Sequence, residues 1–193
     1  MGRRPSLDDV ELLQRLSLVF RDMGFEGATL AMLADATGLQ KASLYHRFPE
    51  GKEQMAREVL QDAAAWLAEN ILALLRGPGR PRAKLRALTR RLDEFYSGGQ
   101  QACLLNMLSS SRMAPGPFSK LIRGVFDAWV STVSAFLLDA GVPRRVAEQR
   151  AERAMILLQG SLVYARGIGS TRPFKEFLKS LPDELLEGTG VEV

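Results

Sequence analysis

Apolar residues recur along this chain at spacings of three and four and nowhere alternate with polar ones, so the pattern predicts helices throughout and no strand. Leu13, Leu16, Phe20 and Met23 mark a first helix over about 7–23, with Ser6 and Asp9 as a capping pair and Gly24 as its stop. Met55, Val59, Ala63, Trp66, Ile71 and Leu74 mark a long helix opening at Lys52 and broken by Gly77, Pro78, Gly79 and Pro81. Further helices are expected over about 82–97, 101–111, 117–140, 144–168 and 173–181. Their separators are Gly98-Gly99, Pro115-Gly116-Pro117, Gly141 to Pro143 and Gly169 to Pro173. With two short helices between residues 30 and 47 the fold class is all-α, about nine helices.

Those two short helices carry the chemistry. The stretch LAMLADATGLQKASLYHRF, Leu30 to Phe48, fits a helix-turn-helix template. Gly38 is its turn glycine, Ala34 the small residue where the helices approach, and Leu33, Leu39 and Leu44 its apolar wedges. The second helix, about Gln40 to Arg47, presents Lys41, Ser43, Tyr45, His46 and Arg47, which suit phosphates and base edges. A helical corner that never meets nucleic acid satisfies the same template. Thr29 can cap the first of the pair while leaving its hydroxyl to a phosphate, and Lys52 with the helix start behind it forms a second phosphate grip.

Charge changes this picture locally rather than globally. The net charge of the 193 residues is +4. Residues 1–60 nevertheless hold 8 Lys/Arg against 9 Asp/Glu, while 61–193 hold 18 against 13. Between Asp35 and Glu50 there is no acid, and Lys41, His46 and Arg47 all fall in that window. From Arg76 to Arg91 seven Lys/Arg occur without an acid, a solvated face or a site for an acidic ligand. Arg3 and Arg4 form a short basic arm that touches phosphate or lies free.

Other function classes find little support. One cysteine, Cys103, and one histidine, His46, leave no disulfide and no metal-ligand cluster. No Ser/His/Asp or Cys/His constellation, phosphate loop or buried carboxylate pair points to an enzyme, and no cofactor is expected. No apolar run approaches the roughly 20 residues that cross a bilayer. The N-terminus lacks a signal-peptide core, so a soluble, cytoplasmic protein is expected. A helical interaction module or a small all-α enzyme stays open as an alternative.

In the C-terminal part, Phe95, Met107, Phe126, Trp129 and Met155 are candidate walls of a ligand pocket, each equally at home in a plain core. Asn106 and Gln159 are amides on apolar stretches that would need partners if buried. Cys103 is expected to be a buried, inert thiol. On the helix over 144–168, Ala147, Ala151, Ala154, Leu158, Ser161 and Ala165, with Gly160 beside them, form a small-residue seam that suits pairing with a second copy or packing within the chain.

The run from Thr29 to Lys52, TLAMLADATGLQKASLYHRFPEGK, resembles the DNA-binding signature of TetR-family repressors, and its FPEGK form is similar to the LmrA/YxaF-like branch. The resemblance implies an N-terminal helix-turn-helix domain, 1–51. A C-terminal helical domain, 52–187, would bind a small effector and form a homodimer, and a disordered tail would follow over 188–193. It implies double-stranded operator DNA as the partner, with phosphate contacts from Thr29, Tyr45 and Lys52. Base-edge or groove contacts fall to Gln40, Lys41, Ala42, Ser43 and His46. The chain departs from the family pattern at Gln40 and Ala42, and Arg47 takes the position of a histidine, leaving open whether His46 or Arg47 faces DNA.

Overall fold

The computed structural model describes residues 8–110 and 114–189. Arg3, Arg4, Ser6 and the last four residues of the expected tail lie outside the described residues. All regular structure among the described residues is helical: α1 Asp9–Gly27, α2 Leu30–Thr37, α3 Lys41–Arg47, α4 Lys52–Leu67, α5 Ala73–Arg76, α6 Pro81–Phe95, α7 Leu104–Met107, α8 Ser119–Asp139, α9 Arg144–Ile168 and α10 Arg172–Leu186. A π-helical turn, Ala68–Leu72, joins α4 to α5 with right-handed helical dihedrals at both ends, so the three pieces make one rod. Counted that way there are nine helices among the described residues.

The chain divides into two compact units, one of residues up to Ala63 together with Leu104–Ser119, the other of Ala64–Cys103 together with the residues from Lys120 on. This differs from the boundary expected at 51/52: the first twelve residues of α4 belong to the first unit, and so does the segment around α7.

In the first unit α1 starts at Asp8, whose Oδ1 accepts the Glu11 N–H at 2.7 Å, and buries Leu12, Leu16 and Phe20. Gly24 does not end α1. It bends it, at φ 67° and ψ 178°, and the helix resumes to Gly27. A Cβ at Gly24 would lie 3.2 Å from the carbonyl oxygen of Met107, so glycine serves both the bend and the close approach of α7. Met23, expected on the buried stripe, is exposed, because the buried positions recur every four residues, Leu12, Leu16, Phe20 and Gly24, and pass it by.

In the second unit α10 packs on α9 and α6. The expected seam on α9 is internal: Ala147, Ala151, Ala154, Leu158 and Ala165 are all buried within the chain, and the Trp129 indole N–H donates to the Ala151 carbonyl at 3.2 Å. Small residues there admit neighbouring helices of the same chain. The opposite side of α9 carries Ile156, Val163, Tyr164 and Ile168, exposed by 62%, 41%, 60% and 45%.

Helix α10 runs to Leu186, past the stop expected at 181. Pro182 forfeits one backbone bond, a cost of about 3 kcal/mol in an exposed helix. Here Leu181, Leu185 and Leu186 are buried around it, and Arg150 of α9 donates to the Leu185 and Glu187 carbonyls at 3.0 and 2.7 Å, capping the end. Helix α8 is long and apolar enough to cross a membrane, at mean hydropathy 1.5, which corrects the reading that no such run exists. It buries Ile122, Val125, Trp129, Val133, Phe136 and Leu137 in the second unit, as a core helix does.

Candidate nucleic-acid interface

The geometry of the helix pair follows from a few local bonds. Thr29 caps α2, its Oγ1 accepting the Met32 N–H at 3.2 Å. Thr37 is buried at the other end; its hydroxyl donates to the Leu33 carbonyl at 2.8 Å and accepts from the Leu39 N–H at 3.4 Å, tying the end of α2 to the turn. Gly38 then reverses the chain at φ 69° and ψ 12°. Nothing lies within 4 Å of a Cβ placed there, so the requirement for glycine is conformational and not steric. Leu33 and Leu44 are fully buried, and Leu39 is half-buried.

Leu44 fixes which face of α3 looks outward. At 3.6 residues per turn, Ala42 and His46 lie opposite it, Ser43 and Tyr45 flank it, and Lys41 and Arg47, three residues to either side, fall on its own side of the helix. Lys41, Ala42, Ser43, Tyr45 and His46 are all exposed, as are Gln40 and Thr29. The side chains expected to read bases are thus all exposed, and His46 and Arg47 turn different ways. His46 shares the outward face with Ala42. Arg47 is turned toward α1 and α4, its Nε 3.2 Å from Asp9 Oδ1 on α1 and its Nη2 3.2 Å from Glu58 Oε2 on α4. Its pKa is raised, first by the hydrogen bond to Asp9 and then by the charge of Glu58, against the opposing effect of burial.

The turn into α4 supports the same surface. Gly51, at φ 70°, donates its N–H to the Phe48 carbonyl at 2.9 Å; a Cβ there would make ordinary contact with the Tyr45 ring at 3.5 Å, so glycine answers the backbone conformation and not the space. Lys52 is less free than its position suggests. Its ammonium donates to the Phe25 carbonyl at 2.7 Å and sits 4.5 Å from the centre of the Phe25 ring. A lysine expected to grip phosphate therefore also fastens the end of α1.

The candidate pocket residues are less coherent. Phe95, half-buried, stacks on Trp66 with ring centres 5.0 Å apart. Trp129 and Met155 are buried, and Phe126 is half-buried. Gln159 points its amide at Cys103 Sγ, 3.4 Å away, and at Met155 Sδ, 3.6 Å away; Tyr96 also donates to that thiol at 3.4 Å. These five belong to the second unit. Asn106 and Met107 belong to the first, and Asn106 is exposed, so burial does not oblige its amide to find a ligand. A cavity of about 250 Å³ is lined by other residues, among them Gln100, Gln101, Leu162 and Arg166, and one of about 140 Å³ by Arg150, Arg153 and Glu184 among others.

Residues 18–59 match the family described as bacterial regulatory proteins, tetR family, and residues 81–180 match the LmrA/YxaF-like transcriptional regulator C-terminal domain. The HTH-type transcriptional regulator LmrA of Bacillus subtilis is 20% identical over 178 residues, covering 91% of this chain and 95% of that protein. The HTH-type transcriptional repressor KstR2 of Mycolicibacterium smegmatis is 40% identical over 78 residues, covering 40% of this chain and only 38% of its own length. Among solved structures, a TetR transcriptional regulator from Legionella pneumophila superposes with a TM-score of 0.79 at 17% identity, covering 90% of this chain and 95% of that one.

Proposed function

Because this chain belongs to the TetR family of bacterial regulatory proteins, with a C-terminal part of the LmrA/YxaF-like type, we propose that it is a homodimeric repressor that a small-molecule effector releases from a palindromic operator. The observation that carries the DNA half of this reading is the outward face of α3. Ala42 and His46 project opposite the Leu44 wedge, with the exposed Lys41, Ser43 and Tyr45 around them and no acid on the helix to oppose a phosphate backbone.

Within that reading Thr29, Tyr45 and Lys52 hold phosphates, which sets register on the duplex. Gln40, Lys41, Ala42, Ser43 and His46 meet base edges, which sets sequence preference. The Ala42 methyl suits the apolar C5-methyl of thymine. The dimer forms through the exposed side of α9, where Ile156, Val163, Tyr164 and Ile168 leave an apolar strip interrupted by Gly160 and Gly167, which let a second helix approach. The effector occupies the second unit near Phe95, Phe126, Trp129, Met155 and Gln159. The rod of α4, the π turn and α5 begins in the first unit and ends in the second, and carries the signal.

The test is selection of a duplex from a random-sequence pool followed by binding at several salt concentrations. A two-fold symmetric site and a steep fall of affinity with salt are expected, because each neutralised phosphate releases counterions. No enriched sequence and no salt dependence would favour the interaction-module alternative.

A further inference from the structure

Helix α3 has little of its own to hold it at a fixed angle. It is seven residues long, Gln40 gives its start no side-chain cap, and inside it only Leu44 is buried. A helix this short is not stable alone, so its orientation is imposed from outside. Its C-terminal end supplies the restraint. The Arg47 guanidinium bridges Asp9 at the start of α1 and Glu58 in the second turn of α4, and lies 4.8 Å over the ring of Phe48, itself fully buried.

We propose that Arg47 is a positioning residue for operator recognition: the Asp9–Arg47–Glu58 bridge sets the rotation of α3, and with it the register of Lys41, Ala42 and His46 on the bases, without touching DNA. Three features favour this over a phosphate contact. Two of the guanidinium's donor nitrogens already face carboxylates. Asp9 and Glu58 together offset its single positive charge, which weakens its pull on a phosphate. Arg47 also lies on the Leu44 side of α3, away from Ala42 and His46. The arrangement assigns specificity to two acidic residues that would otherwise only repel a phosphate backbone. Glu58 sits on the helix that continues into the second unit, so the bridge is also where α4 meets the recognition helix.

The test uses the full-length protein and two duplexes: one enriched by the wild type from a random-sequence pool, and one of the same length with shuffled sequence. The readout is the ratio of the two affinities, together with the salt slope of each. The positioning role expects Asp9→Asn with Glu58→Gln to lower the ratio by roughly 2- to 30-fold, the scale of two exposed ion pairs together. Arg47→Gln should lower it equally, and the triple variant should fall no further. Binding to the shuffled duplex should tighten when the two acids are removed, and the salt slope with Arg47→Gln should stay that of the wild type. Arg47→Lys keeps the charge but cannot span both carboxylates, so it should lose part of the ratio. The proposal is overturned if Arg47→Gln lowers the salt slope by about one per subunit. It is equally overturned if removing the two acids leaves or raises the ratio. Thermal melting within a few degrees of wild type for each variant separates these outcomes from unfolding.

Discussion

The Lys52 ammonium lies 2.7 Å from the carbonyl oxygen of Phe25, closing the end of α1 onto the start of α4. The same lysine is the one proposed to hold a phosphate, so one side chain would have two tasks. Lys52→Ala should weaken binding to every duplex alike, because a backbone contact carries no sequence information. It should also destabilise the fold by about 1–2 kcal/mol, the scale of a charge-assisted bond in a half-exposed setting. Chemical denaturation alongside binding separates the two losses. Unchanged stability would mean that the Phe25 contact is incidental.

On the recognition helix the division of labour should appear as a difference in kind. Lys41→Ala or Gln40→Ala should shift preference among variant operators by about 1–3 kcal/mol at one or two base positions. Tyr45→Phe should lower affinity for all of them. Binding across a panel of single-base operator variants tests this, and equal losses at every position for Lys41→Ala would move that lysine to the backbone class.

The two faces of α9 make opposite predictions for charge substitutions. Tyr164→Glu places a charge on the exposed apolar strip and should give folded monomers in sedimentation. Ala154→Glu buries a charge against the same subunit and should cost about 3 kcal/mol or more in stability, whatever the oligomeric state. A Tyr164→Glu protein that remains dimeric would move the interface off this face.

These contrasts also mark what a sequence can disclose. Helix α9 is expected over 144–168 and observed at Arg144–Ile168, because proline closes one end and glycine the other. The helix-turn-helix is equally legible, since Gly38, Leu33 and Leu44 act over a few residues. The bend at Gly24 and the continuation of α10 through Pro182 are not, because each depends on residues far away in sequence: Met107 against Gly24, and Arg150 beneath the α10 terminus. The alanine seam shows the same limit. Periodicity identifies a face suited to close packing but not whose helix fills it. Nor does spacing reveal that Arg47 turns toward Asp9 and Glu58, which are 38 and 11 positions away.

Effector release should be visible through tryptophan. Trp66 lies on the rod, stacked on Phe95, and Trp129 is fully buried with its indole N–H on the Ala151 carbonyl. In a Trp66→Phe background only Trp129 reports, from among the proposed pocket residues. A compound found by its ability to release the selected duplex should change Trp129 emission over the same concentration range in which operator affinity falls. Coupling between the two sites is reciprocal, and a typical value of about 1–3 kcal/mol corresponds to roughly 5- to 150-fold weaker operator binding. A compound that binds the second unit equally well in both states would change the emission and leave the affinity alone, so occupancy by itself does not identify an effector. Release of the duplex with Trp129 emission unchanged and no compound bound to the second unit would remove the coupling mechanism, and leave direct competition at α3 in its place.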